Sequence, residues 1–244
     1  MKTKTPKIKT GWHFLREDMM LRYSDGRTVK KGIWMKARNC IGGPILCKQG
    51  MHASENILDA IQYAPGIILC KVNVRGNITI SKDKFVGMER VVLDFFNCRE
   101  TFERFCLWCY ERALKKCGIT NETCWKEARI RKQVIDKELP ISVIRNKYSF
   151  VPYGNTRSKA KEHIHNLMRY MRAAKDDDEV LYLIKQTLSN SRAAVGFSEG
   201  NVYNVYNKLL EKKETSCQRR KLIKMIEKTI EQNALKEEID YEKK

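Results

Sequence analysis

The sequence lacks the marks of membrane-spanning and exported proteins. It contains no uninterrupted apolar run of 18 residues, and a transmembrane helix needs about that length. Its first ten residues carry basic side chains without the apolar stretch of a signal peptide. We therefore expect a soluble, cytoplasmic protein with no membrane partner.

Common catalytic signatures are also missing. The chain has no phosphate-binding loop of the form G-x-x-x-x-G-K-S/T, no G-x-G-x-x-G fingerprint and no H-E-x-x-H motif. These absences remove the motif evidence for a P-loop nucleotidase, a dinucleotide-binding dehydrogenase and a zinc protease, and from the residues alone we expect no cofactor. Only five of 244 residues are proline and 42% are hydrophobic, so the composition allows a folded core.

Nine cysteines are present, an odd number, and without an export signal we expect them to be reduced. A zinc site is the obvious alternative for four of them, but the first pair lies in an apparent amphipathic helix and the second pair has six residues between its members rather than two. We expect buried thiols and no metal. The four cysteines considered for zinc are Cys106, Cys109, Cys117 and Cys124.

Cys47 and His52 are a candidate catalytic pair, with Cys47 as nucleophile and His52 as base, but no third orienting group is evident.

Positive charge dominates the composition. There are 48 lysines and arginines against 29 aspartates and glutamates, a formal net charge of +19. The excess is spread along the chain, with +9 in residues 1–114 and +10 in residues 115–244. A partner of opposite sign would relieve the resulting self-repulsion, so the charge favours a polyanion such as nucleic acid.

Two clusters in the second half concentrate this charge. Basic side chains neutralise phosphates and release counterions, and a tyrosine among them can stack on an unpaired base. A solvated helix face is the simpler interpretation of either cluster alone; the two clusters together with the net charge favour nucleic-acid binding. The predicted binding residues are Arg157, Lys159, Lys161, Arg169, Tyr170, Arg172 and Lys175 in the first cluster, and Arg219, Arg220 and Lys221 in the second.

The pattern of apolar residues predicts an α+β protein, a mixed N-terminal domain with short strands followed by a helical C-terminal domain. We divide the chain into a flexible basic arm at 1–10, an α+β domain with a helical extension at 11–150, and a basic helical domain at 151–244. Strands are predicted near 12–15, 32–35, 45–47, 67–74 and 78–80. Helices are predicted from 99 to about 117, at 122–138, 157–174, 177–190 and 199–235, the last with a break near Thr215.

Another short helix is predicted between the strands. Ser54 is a good N-cap residue, Glu55 suits the first turn, and Pro65-Gly66 ends the helix after Tyr63. Ile57, Leu58 and Ile61 supply its apolar face.

One group of motifs in the first half resembles a family of uncharacterised bacterial and phage proteins. It consists of Cys47-Lys48-Gln49-Gly50-Met51-His52-Ala53-Ser54, then Leu58-Asp59-Ala60-Ile61-Gln62-Tyr63-Ala64-Pro65-Gly66, with Trp12-His13-Phe14-Leu15 before and Asp83-Lys84-Phe85-Val86 after. The match covers about residues 11–114. The resemblance implies a bacterial or phage setting, and the host cytoplasm if a phage encodes the chain.

The passage Gly50-Met51-His52-Ala53-Ser54, followed by a helix to Tyr63 and a strand, is also similar to one in poly(ADP-ribose) polymerase-like ADP-ribosyltransferases. That resemblance implies NAD as cofactor and a site made from His13, His52 and Glu89. His13 would hold the nicotinamide ribose and Glu89 would polarise it, whereas His52 stands where the fold often has an aromatic residue.

Three functional hypotheses follow. The first is a basic protein of phage or bacterial origin that binds nucleic acid or a ribonucleoprotein. The second is an NAD-dependent ADP-ribosyltransferase-like enzyme, and the third is a phage structural or host-interaction protein.

Overall fold

A computed structural model describes residues 7–138 apart from 23, 24, 39 and 121, together with 166, 177–196 and 205–242. It confirms the α+β class, with antiparallel sheets in the first part of the chain and helices in the second. The chain falls into two compact units, Met1–Cys98 and Arg99–Lys244. This division lies well before the boundary predicted near residue 150, because the helices that follow Cys98 pack with the C-terminal helices.

A four-stranded antiparallel sheet forms the centre of the first unit. Its strands are β1 (Ile8–Leu15), β2 (Trp34–Lys36), β4 (Ile68–Arg75) and β7 (Glu89–Asn97), in the order β1-β4-β7-β2. Cys70, Val72 and Val74 of β4 are fully buried, whereas Lys71 between them is exposed, which is the alternation expected of a strand with one buried face.

Three shorter strands form a second antiparallel sheet, in the order β3-β6-β5: β3 (Met51–Ala53), β5 (Thr79–Ile80) and β6 (Phe85–Gly87). This sheet lies against the buried face of the first, and two glycines permit the close approach. A Cβ at Gly11 would stand 2.7 Å from the Phe85 ring, and one at Gly87 would stand 2.5 Å from Val74.

The predicted strands match the structure in part. The strand predicted at 12–15 begins four residues earlier, at Ile8, so the end of the predicted arm at 1–10 pairs with β4; residues 1–6 lie outside the described part of the chain. No strand forms at 45–47, since Ile45 and Gln49 close a tight turn instead. The long strand β7 has no counterpart in the sequence analysis.

Ser54 does not cap the short helix, so that prediction is wrong. Helix α1 (Ile57–Gln62) begins two residues later, and Asn56 is its N-cap, with the side-chain oxygen accepting a hydrogen bond from the Leu58 N–H at 3.1 Å. Ser54 is instead buried, and its backbone exchanges two hydrogen bonds with Trp12 of β1. Sheet pairing therefore sets where this helix can start.

The second unit is helical. Its described helices are α2 (Arg99–Lys116), α3 (Glu122–Ile135), α4 (Asp177–Gly196) and α5 (Val205–Glu242). The predicted helix at 157–174 lies outside the described residues apart from residue 166, which is helical. The predicted break near Thr215 is wrong, because α5 continues through it with Glu214, Gln218, Leu222 and Ile226 buried one turn apart.

Helices α2 and α5 run antiparallel and are joined by polar contacts along their length. Thr101 and Thr229 share a hydrogen bond of 2.7 Å, and about three turns along α2 the Arg112 Nε donates to both oxygens of Glu214 at 2.9 Å. Cys106 and Cys109 lie in the core on the same side of α2. None of the helices that the structure describes is long and apolar enough to cross a bilayer.

Replacing Asn56 with alanine removes the cap of α1. We expect the free energy of unfolding to fall by about 1 kcal/mol, while Asn56→Asp, which keeps an equivalent acceptor, changes it little. Urea denaturation of the three proteins measures this. Equal stability of the alanine variant and the wild type would contradict the capping role.

Replacing Glu214 with alanine leaves a partly buried Arg112 without its partner. We expect a loss of about 2–3 kcal/mol in the free energy of unfolding, because Glu214 is almost fully buried and accepts charged hydrogen bonds.

The matched control for this variant is Glu122→Ala, which breaks the exposed pair of Glu122 with Arg129. Exposed pairs contribute about 1 kcal/mol or less, so the control is expected to melt close to the wild type. Similar losses from both variants would show that burial does not matter to the α2–α5 pair.

Candidate functional site

The exposed side of α5 carries a row of basic residues, which we call the basic face. The opposite side of α5 is buried and carries Glu214, Gln218, Leu222 and Ile226. The helical repeat therefore places the intervening positions in solvent. The basic face consists of Lys212, Lys213, Arg219, Arg220, Lys224 and Lys228, all of them exposed.

The basic face has little opposing charge. Within the part of the chain that the structure describes, none of its six side chains forms an ion pair. Glu227 and Glu231 are the acidic residues on the same exposed side of the described helix. From Lys212 to Lys228 the row extends about 24 Å at the rise of an α-helix.

The structure separates the second predicted cluster into two parts. Arg219 and Arg220 belong to the basic face, whereas Lys221 points inward and its Nζ lies 5.8 Å from the centre of the Trp108 ring on α2. A cation at this distance is attracted by the ring, so Lys221 helps to hold α5 to α2. Lys212, Lys213 and Lys228 were missed by the sequence analysis, although counting back from the buried positions at helical spacing would have found them.

The first predicted cluster lies outside the described residues. Its members therefore remain predictions: Arg157, Lys159, Lys161, Arg169, Tyr170, Arg172 and Lys175.

In the first unit, the structure brings two of the three predicted catalytic residues together. His13 pairs with Cys70 in the sheet, on the face covered by β3, and His52 is near enough for its charge to lower the pKa of His13. The two larger causes of that lowered pKa are burial of the ring and the charge of Arg90, so the His13 imidazole is neutral at neutral pH.

Both ring nitrogens of His52 lie within hydrogen-bond distance of backbone atoms in its own loop. Its Nε2 accepts from the Cys47 N–H at 3.1 Å, which leaves the proton on Nδ1, 3.2 Å from the Gly50 carbonyl oxygen. Burial, Lys84 and Arg90 lower the pKa of this ring against the raising effect of the Gly50 carbonyl. The ring holds the backbone of Cys47 and makes no hydrogen bond to its thiol, so the pair is not arranged as nucleophile and base.

Glu89 does not join the two histidines. It is opposite Arg75 in the sheet, and Arg75 Nη2 lies 2.7 Å from its carboxylate. Arg90, the next residue of β7, is opposite Val74, so Glu89 and Arg90 project from opposite faces of the sheet. The residues predicted for a transferase site are therefore split between two faces. The catalytic roles of His13, His52 and Glu89 stay predictions.

Several motif residues of the first half meet at one place on the surface. Hydrogen bonds that the Lys84 ammonium donates to Cys47 and Tyr63 raise the pKa of Lys84, whose Nζ lies 3.9 Å from the centre of the Tyr63 ring. The Tyr63 hydroxyl also donates to the Asp83 carboxylate. The sequence motifs therefore define a local structure, a loop, a helix end and a turn held together.

The cysteines considered for zinc lie on α2, on α3 and in the turn after α2. Cys106, Cys109 and Cys124 are buried and Cys117 is half-buried, with no disulfide among the nine cysteines. In the described ranges, no group of three or more histidine, cysteine and acidic side chains is arranged to hold a metal ion. Burial raises the pKa of the Cys106 thiol to about 12 and that of Cys109 well above its ordinary value.

Thiol reactivity should follow this burial. We expect iodoacetamide at about pH 8 to modify the exposed Cys47 first and to leave Cys70, Cys98 and Cys106 intact, because burial raises the pKa of each of the three to about 12 and thiolates are the reactive species. Mass spectrometry of timed samples reads out each position. Denatured protein, in which all nine should react, is the control, and native labelling of Cys106 as fast as Cys47 would refute the packing of α2.

Comparison with known proteins assigns no family to this chain. No protein-family model, no curated protein and no solved structure matches it. The family resemblances of its motifs therefore remain predictions, and the function is argued from the geometry of the sites.

Proposed function

We propose that the protein binds nucleic acid through the basic face of α5. The observation that carries this proposal is the row of six exposed lysines and arginines without an ion-pair partner in the described structure. Such side chains neutralise phosphates at low cost, since they are already solvated and give up no internal contact.

The dimensions of the row fit a phosphate backbone. Each strand of duplex DNA presents a phosphate about every 3.4 Å along the helix axis, so a row of about 24 Å faces several of them. Contacts of this type position a protein on nucleic acid without reading its sequence. The proposed binding is therefore independent of sequence and sensitive to salt.

The buried side of α5 supports the proposal in a second way. Leu222 and Ile226 lie in the core, and Glu214 pairs with Arg112, so the helix is fixed with its basic side outward. A rigid row loses less conformational freedom on binding than charges on a free chain. Among the described residues no comparable contact supports the transferase hypothesis. Glu89 is paired with Arg75, on the opposite face of the sheet from His13.

Reversing two charges of the basic face should weaken binding to duplex and single strands of any sequence. For Arg219→Glu with Arg220→Glu, we expect the slope of log affinity against log salt to become shallower by about 1.8 on duplex DNA, about 0.9 for each lost contact. Electrophoretic mobility shifts at three salt concentrations measure it, and circular dichroism checks that the fold is retained.

The matched control is Lys30→Glu with Lys71→Glu, two exposed lysines of the first unit. This double variant has the same net charge as the test protein, so it separates the place of the charge from its amount. Equal weakening by the two double variants, or no shift of either duplex or single strands by the wild type at low salt, would overturn the proposal.

A further inference from the structure

Arg90 is a buried cation that has no counter-ion among the residues that the structure describes. Only 5% of the residue is exposed, and its one hydrogen bond to a described residue runs from Nη1 to the His52 carbonyl oxygen at 2.7 Å. No aspartate or glutamate in the described structure forms an ion pair with it. Burial lowers the pKa of the guanidinium to about 10, so it remains charged at neutral pH. An unpaired charge in such a position is costly, and proteins usually supply it with a partner.

The free donors of Arg90 are not sealed inside the protein. The side-chain atoms that are fully buried without a hydrogen-bond partner belong to Arg131, Thr187 and Gln218, in the other unit. Arg90 Nε and Nη2 are absent from that set and are not hydrogen-bonded in the described structure, so each of these two nitrogens keeps some solvent exposure.

His13 lies close enough to Arg90 for the charge of Arg90 to lower the pKa of its imidazole. Its ring projects from the same side of the sheet as Arg90, because His13 is opposite Cys70 and Arg90 is opposite Val74, two positions of equal parity on β4. The ring is half-buried and makes no hydrogen bond to any described residue, whereas His52 is fully engaged with its loop. Lys84 adds positive charge at the same end of β3, where it lowers the pKa of His52.

The nearby carboxylate of Asp94 is already paired with a lysine. Asp94 raises the pKa of the Cys70 thiol, but its carboxylate lies 3.0 Å from Lys31 Nζ. Arg90 therefore has N–H groups that are not hydrogen-bonded in the described structure, and the His13 ring has no hydrogen bond to a described residue. With the positive charge of Lys84 near His52, these groups suit an anion with several oxygens.

We propose that Arg90 and His13 form a binding site for a phosphoryl group. The planar guanidinium matches two oxygens of a tetrahedral phosphate, and an imidazole N–H can donate to a third. His52 is a positioning residue in this site, because its carbonyl oxygen holds Arg90 and its ring is held by the loop. The site lies in the first unit and does not rest on nucleic-acid binding by α5.

Isothermal titration with inorganic phosphate tests the site directly, at an ionic strength held constant with chloride. We expect saturable binding by the wild type and affinity about ten- to a hundredfold weaker in Arg90→Met, since charged hydrogen bonds are lost. Arg75→Met is the matched control, because it removes a strand arginine that is paired with Glu89 on the other face, and it should bind phosphate like the wild type.

A second measurement does not depend on the folding of the Arg90 variant. The ring signals of His13 in the NMR spectrum of the wild type should shift on adding phosphate and should not shift on adding the same ionic strength of chloride. His13→Gln should bind more weakly while keeping the wild-type melting temperature in chloride. No His13 shift, together with equal heats for phosphate and chloride, would overturn the proposal.

The pH dependence gives a third readout. A bound anion favours the charged form of His13, so binding raises its pKa and takes up a proton. With sulfate, which remains a dianion, affinity should therefore rise as the pH falls from about 8 to about 6, and this rise should shrink in His13→Gln. The charged and titratable groups around the ring are Arg90 of β7, His52 of β3 and Cys70 of β4. A pH-independent affinity would contradict the role of His13.

The source of the phosphoryl group is decided by comparing inorganic phosphate, adenosine monophosphate and adenosine. Tighter binding of the monophosphate than of phosphate supports a nucleotide ligand, and equal binding supports the free ion. Binding of adenosine as tight as that of its monophosphate would overturn the proposal. Duplex binding in the mobility-shift assay should be unchanged in Arg90→Met, which keeps the two proposals distinguishable.

Discussion

Strand β4 sets the arrangement of the first unit, because it pairs along its whole length with β1 on one side and β7 on the other. Its alternation puts Cys70, Val72 and Val74 under the second sheet, and the neighbouring strands must follow the same parity. His13 and Arg90 therefore lie on the face covered by the second sheet, while Glu89 lies on the opposite face. A shift of one residue in either pairing would exchange these faces.

In the second unit a single helix serves two purposes. The inner side of α5 contributes Leu222 and Ile226 to the core and a polar contact from Glu214 to Arg112, and the outer side presents the basic face. Lys221 marks the edge between the two, since its stem is half-buried and its charge lies over Trp108. Charge and packing are thus separated by the helical repeat alone.

The two proposed sites would hold anions by different physics. The basic face acts through exposed charges, so its contacts are screened by salt and read no sequence. Arg90 lies in a medium of lower polarity, where a hydrogen-bonded anion gains more from the same charge. An exposed surface of this kind suits a long polymer of phosphates, whereas the buried guanidinium suits a single phosphoryl group with defined geometry.

The sequence by itself determined the class of fold, the helices α2 and α3 and the central strand β4, because each has a strong repeat of apolar residues. It also predicted the basic residues Arg219 and Arg220, which are exposed on α5. It failed where tertiary contacts compete with local preference: Ser54 is a good cap residue, but sheet pairing with Trp12 takes it from the helix. Only the tertiary structure decided that Arg90, which precedes Val91 and Val92 in the chain, is buried on the same face of the sheet as His13, because pairing brings together positions far apart in the chain.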